Sequence, residues 1–265
     1  MILIPFGKYQ VSRDALKYAL EATNAFRKLD IVCFRATEKN LSSDKLGLLK
    51  EELVNEIEVI SRPYHEINVT VEVRNGDYDE QIQQFISTHN VLVVMAGVRK
   101  TNGLQKLLFE GKASRFLRHL HIPTLLIPEG CVYKPVKTIL FASDFKPIPN
   151  DDALDVLVDI AKTRDAEVRI AHVRTEKRHL NEDEVMEMHR ESSLFGDDVK
   201  HSFKHIFRST ISKGINYYLK LKGDNDLLVL IKREKNMIGR QFNHDHALEF
   251  ALHPKLPVLI IDEHG

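Results

Sequence analysis

The chain has no tryptophan and only two cysteines among its 265 residues. Cys33 lies in an apolar, strand-like run and Cys131 near the middle of the sequence, and neither forms part of a CxxC pair. Two reduced thiols in a cytoplasmic protein are the reading that follows. Charge of one sign is not in excess. Lys+Arg and Asp+Glu both number 38, which argues against a general nucleic-acid or polyanion binder. No apolar run reaches the length of a membrane span. The opening MILIPFGK lacks the basic lead of a signal peptide and reads as a first strand. There is no GxxxxGK[ST] loop, and no Ser-His-Asp, Cys-His or paired-carboxylate arrangement stands out.

What is present is a repeat. Hydrophobic residues make up 43% and charged residues 29% of the chain, enough to bury a core in each of two domains. When VMAGVRKTNGLQKLLFEGKASRFLRHLHIPTLLIPE is laid over LVLIKREKNMIGRQFNHDHALEFALHPKLPVLIIDE, Ala113 falls on Ala247, Phe116 on Phe250, His119 on His253, Pro123 on Pro257 and Ile127 on Ile261. The offset is 134 throughout. The front halves also match, ILIPFG from Ile2 with ILFASD from Ile139 and FRATE from Phe34 with HVRTE from His172. Two domains, 1–130 and 136–265, are expected, joined by a linker over 129–136 that contains Gly130 and Pro135.

Each copy alternates strand and helix. In the first, strands are expected at Ile2–Pro5, Asp30–Phe34, the INVTVEV run, Val91–Met95 and TLLIP. Helices are expected at Ser12–Arg27, Ser43–Arg62 (stopped by Pro63), Asp79–Thr88 and Leu104–His119. Asn75-Gly76 turns the chain. Apolar strands separated by helices imply a parallel sheet covered on both faces. The second copy has a weaker middle, in which the charged stretch from Glu176 is expected as a shorter helix and a mobile loop, followed by a strand in KHSFKHIFRS.

ILIPFGKYQVSRDALKYAL, VTVEVRNGDYDEQI, VLVVMAG and FLRHLHIPTLLIP resemble the universal stress protein family, as do TILFASDF, DLLVLIK and PKLPVLIID in the second copy. The resemblance covers nearly the whole chain, twice. It implies an α/β fold of two tandem Rossmann-like domains of the adenine nucleotide alpha hydrolase-like type, each a five-stranded parallel sheet with helices on both faces. It also implies that the last strands, 124–127 and 258–261, pair across a pseudo-two-fold. Such pairing would remove two exposed apolar edges.

Nucleotide-binding members of that family carry a Gly-x2-Gly-x9-Gly-(Ser/Thr) loop and an aspartate after the first strand. Glycines let backbone N–H groups approach phosphate, and a helix N-terminus favours the anion. In the first copy Gly97 fills the first glycine position, Lys100 the second, Glu110 the third and Gly111 the Ser/Thr position, while Gly7 stands where the aspartate belongs. In the second copy those positions hold Ile231, Glu234, His244 and Asp245, and only the aspartate, Asp144, survives. Carboxylates at a phosphate site repel it.

The expected function is therefore a non-catalytic, stress-linked regulatory or interaction module without efficient ATP binding and without a resident cofactor. The alternative is an adenine-nucleotide sensor holding ATP or AMP, with Gly97, Arg99, Lys100, Gly103 and Gly111 around phosphate in the first copy and Asp144 as the remaining acid in the second. An enzyme would need a base, for which Asp144 is the candidate. His244-Asp245-His246 reads as the polar first turn of the last helix rather than a metal site. His119 and His121 suit a helix C-terminus, and His201 and His205 share one strand face. Glu182–Arg190, with Val185, Met186 and Met188, reads as an exposed amphipathic helix over a cleft, with partner docking or ligand gating as its functional reading. A homodimer or a protein partner is expected, with neither nucleic acid nor membrane.

Overall fold

The computed structural model describes residues 1–25, 29–38, 40–99, 120–174, 179–233 and 256–264. The chain divides into two compact units, Met1–Lys134 and Pro135–Gly265.

In the first unit β1 (Ile2–Pro5), α1 (Gln10–Ala25), β2 (Ile31–Thr37), α2 (Ser43–Ser61), β3 (Val69–Asn75), α3 (Tyr78–Thr88), β4 (Val93–Val98) and β5 (Thr124–Pro128) follow one another. The strands form a parallel sheet in the order β3-β2-β1-β4-β5. β1 is central, and Leu3 and Ile4 are fully buried, as a strand covered on both faces should be. α1 presents Ala15, Leu16, Ala19 and Leu20 to the core, at the i, i+1, i+4, i+5 spacing of a single helical stripe. It packs on β1, β4 and β5, while α2 packs on β3 and α3 on β2. α2 ends in a 3-10 turn, Arg62–Tyr64, that contains Pro63. Asp77 caps α3, its carboxylate accepting from the N–H groups of Asp79 and Glu80. This satisfies two donors that the helix itself leaves unpaired.

The second unit runs β6 (Thr138–Ser143), α4 (Asp155–Arg164), β7 (Glu167–Arg174), α5 (Glu182–Phe195), β8 (His201–Phe207), α6 (Ile211–Leu221), β9 (Leu227–Lys232) and β10 (Val258–Asp262). Its sheet is again parallel, in the order β10-β9-β6-β7-β8. Ile139, Leu140, Phe141, Val168, Ile170, Leu228 and Val229 form its buried centre. α5 opens on a capping box, with Asn181 Oδ1 accepting from Glu184 N and Glu184 Oε2 accepting from Asn181 N.

Several expected bounds need correction; INVTVEV spans 67–73, for one, while β3 is Val69–Asn75. α1 begins two residues before the predicted Ser12. β2 runs three residues beyond Phe34, to Thr37. β4 starts later than Val91 and runs three residues past Met95, to Val98, so Gly97 is a sheet residue paired with Ile127. The expected helix at 104–119 lies outside the described residues. No described helix is long and apolar enough to cross a membrane.

Candidate functional site

In a parallel sheet whose strand order reverses, the crevice lies at the carboxyl ends of the strands flanking the reversal. That point is β1/β4 in the first unit and β6/β9 in the second.

In the first unit the β1–α1 loop is fastened from within. Gly7 N donates to the buried Ser12 Oγ at 3.0 Å. Arg13 donates to the carbonyls of Gly7 and Tyr9 while its guanidinium forms a two-pronged pair with Glu56, at 2.6 and 2.7 Å. The first turn of α1 presses onto the end of β4. A Cβ on Gly97 would lie 1.8 Å from Val11 O and 2.4 Å from Val11 C. The glycine at this position is therefore accounted for by the helix backbone against it. One step on, the guanidinium of Arg99 lies over the Tyr9 ring, 4.2 Å from its centroid, with Lys8 Nζ at 5.3 Å.

In the second unit an arginine ties the rim of the crevice together. Arg233 follows β9, Asp144 follows β6 and Glu263 follows β10, so all three stand on the same rim of the sheet. Nη2 donates to Asp144 Oδ1 at 2.6 Å and to Lys146 O at 2.7 Å. Nη1 donates to Glu263 Oε2 at 2.9 Å and to Pro147 O at 2.8 Å. Burial works to lower the affinity of Arg233 for its proton, but the Asp144 and Glu263 carboxylates outweigh it and hold the guanidinium above its ordinary value. Beneath this clamp the register partners Lys232 and Asp262 pair at 2.6 Å, with side chains only 8% and 2% exposed. Arg99 and Arg233 are separated by the same 134 residues as the other repeat partners.

The end of β6 also carries a buried acid. Ser143 Oγ accepts from Phe145 N at 3.0 Å and donates to Glu191 Oε1. Glu191, on α5, is 1% exposed, and among the described residues nothing donates to its Oε2. Burial, reinforced by Glu187 and Asp144, pushes its carboxyl up to about 8 despite the Ser143 hydroxyl. Phe145 adopts a left-handed backbone conformation, φ +52°, a strain of about 1–3 kcal/mol for such a side chain. Its ring stacks on His172, centroids 4.4 Å apart. His172 Nδ1 lies 3.1 Å from Ser143 O, so that nitrogen carries the proton. Burial lowers the pKa of His172, which keeps the ring neutral. Because the imidazole meets the serine's carbonyl and not its hydroxyl, Ser143, His172 and Glu191 do not form a nucleophile-activating triad.

The model of the universal stress protein family matches residues 1–128. Residues 1–128 belong to the universal stress protein family. No curated protein sequence matches the chain significantly. A universal stress protein from Archaeoglobus fulgidus DSM 4304 shares the fold over 100% of this chain and 98% of its own, at 17% identity and a TM-score of 0.77. A protein of unknown function from Pseudomonas aeruginosa PAO1 aligns over 99% of this chain and 92% of its own, at 14% identity and a TM-score of 0.56. The two tandem Rossmann-like α/β units expected from the sequence are thus those of a universal stress protein fold.

Of the loop residues singled out in the universal stress protein pattern, Gly97 and Arg99 are brought to the first crevice, and Asp144 to the second. Lys100, Gly103 and Gly111, like Glu110 and His244-Asp245-His246, lie outside the described residues. Asp144 also closes its own turn, accepting from Lys146 N at 3.3 Å. The clamp residues Arg233 and Glu263 and the acid Glu191 went unmarked by sequence reasoning. The recurrence of arginine at the repeat offset was the available signal for Arg233.

Proposed function

We propose that this chain is a tandem universal stress protein acting as a non-catalytic regulatory or interaction module in the stress response, without efficient ATP binding. The observation that carries the reading is the clamp of Arg233 on Asp144 and Glu263. It ties the rim of the strand-end crevice together and engages the one carboxylate that the nucleotide pattern retains there. The first unit adds support, since the Gly7 N–H is already taken by Ser12 and the open side of Gly97 by Val11. On this reading the protein works in the cytoplasm, its final strands pair within the chain, and its loops and edges meet a second copy or a protein partner.

Calorimetric titration of ATP and AMP into the full chain tests this. No saturable heat at millimolar nucleotide is the expected result, and micromolar binding overturns the reading. A nucleotide sensor in the first unit is the second reading, favoured by the exposed Tyr9 ring with the cations of Arg99 and Lys8 beside it. If binding is found, its loss in Arg99→Glu assigns it to that unit. Gly97→Val does not serve, because any side chain there collides with the Val11 backbone.

A further inference from the structure

α5 carries a mismatch between a buried group and its surroundings. Glu191 is almost wholly enclosed, one of its oxygens receives the Ser143 hydroxyl, and the other meets no donor among the described residues. A charge on that second oxygen would be bare, and burying a bare carboxylate is far more costly than burying its neutral acid. Of the charged groups around it, Arg190 favours the ionised form, but Glu187 and Asp144 oppose it more strongly. Glu187, on the same helix face, is itself buried and holds Arg190 by bonds of 2.7 and 3.0 Å. Asp144, at the end of β6, is held by Arg233. On β7 and β8 the groups nearby are His172, neutral and committed to Ser143 O, and His205 beyond it, while Glu184 lies on the His172 side of α5. Elsewhere in this half of α5, Ser192 Oγ bonds His201 Nε2 at 2.7 Å, and the buried Phe195 ring lies 5.5 Å from the His201 ring.

We infer that α5 is a proton-controlled cover, seated on the end of β6 while Glu191 is the neutral acid and released when Glu191 ionises. The condition for a switch is present: a group whose two charge states differ in their compatibility with the seated helix. The direction follows from linkage. The seated state binds the proton more tightly than the released state, in which Glu191 is solvated and has an ordinary carboxylate affinity. Release is therefore suppressed by acid and rises as pH increases, until the seated carboxyl itself ionises. What the helix lets go is Ser143, whose hydroxyl also accepts from Phe145 N and whose carbonyl meets His172 Nδ1.

The test is amide hydrogen exchange across α5 in the full chain, corrected for intrinsic rates, comparing wild type with Glu191→Gln between pH 5.5 and 7.5. The glutamine keeps an acceptor for Ser143 and cannot ionise. The ratio of wild-type to variant opening is expected to rise about tenfold per pH unit, because the imidazole contributions are common to both proteins and cancel. A ratio that does not change with pH overturns the proposal. Should Glu191→Gln fail to fold, the side-chain carboxyl resonance of Glu191 in the wild-type protein decides. A midpoint well above the ordinary carboxylate range, with α5 exchange rising in step, supports the switch, and a midpoint within that range overturns it.

Discussion

Arg233 Nη2 and Asp144 Oδ1 stand 2.6 Å apart, joining residues that follow two adjacent strands, β9 and β6, at the reversal point of one sheet. The contact is a tie across the place where an α/β sheet ordinarily takes its ligand. Arg233→Met is expected to destabilise the second unit by about 2–3 kcal/mol, since it strips charged hydrogen bonds from two carboxylates and two carbonyls. Chemical denaturation checks the loss. Combining the change with Asp144→Asn should recover part of it, and strictly additive losses would mean the two side chains are not coupled.

The Lys232–Asp262 pair beneath the clamp behaves differently when broken than when replaced. Lys232→Met alone takes the ammonium away from a buried carboxylate and is expected to destabilise the second unit. Adding Asp262→Asn removes that charge while keeping an acceptor for His264 N, so the double variant should be more stable than the single one. Melting temperatures of the three proteins give the comparison.

Gly97→Ala places a methyl group 1.8 Å from a backbone oxygen of α1. Either the helix or the strand must move, and a loss of more than about 4 kcal/mol is expected. Ala at Gly47, where an added Cβ meets nothing within 4 Å, is the control, and as a replacement of glycine inside a helix it should stabilise by roughly 0.5–1 kcal/mol.

His172 gives the protein an acid limb. Burial depresses its folded pKa, so its contribution is fully present above the ordinary imidazole value near ~6.5 and is lost as pH falls below that value toward the folded pKa. Glu191 works in the opposite sense, its raised folded pKa lessening stability as pH climbs from the ordinary carboxylate value toward about 8. In a Glu191→Gln background the acid limb should stand alone, with the denaturation midpoint falling below pH 6.5. Adding His172→Asn should flatten it.

How far the sequence was readable can be judged from particular residues. The alternation of buried strands and amphipathic helices was plain, because the apolar stripe of Ala15, Leu16, Ala19 and Leu20 and the run ILIP are local patterns. Gly97 was visible but open to misreading. As a glycine after an apolar run it suggests phosphate, yet the atoms that require it belong to Val11, distant in sequence. α5 shows a second limit. Its apolar residues suggest an inward face, but Met186 is 63% exposed while Glu187 and Glu191 are buried. Hydrophobic periodicity gives no sign of a buried acid whose hydroxyl partner comes from another strand. Asp144 was recognised by its position after β6, but the guanidinium that engages it arrives from the opposite end of the unit's sequence.

The place of the first strand within each sheet bears on how the protein is made. Ile2–Pro5 is synthesised before any other strand of its unit, yet it ends as the middle one, with Ile2 beside Ile31 on one edge and Val93 on the other. A ribosome adding about 5–20 residues per second therefore leaves one edge of this apolar strand open for several seconds, until β4 emerges. The wait recurs for β6 and β9. In each half, the nascent chain must keep its most hydrophobic backbone from foreign partners during that interval, which makes the pause between second and fourth strands the point at which a chaperone would matter most.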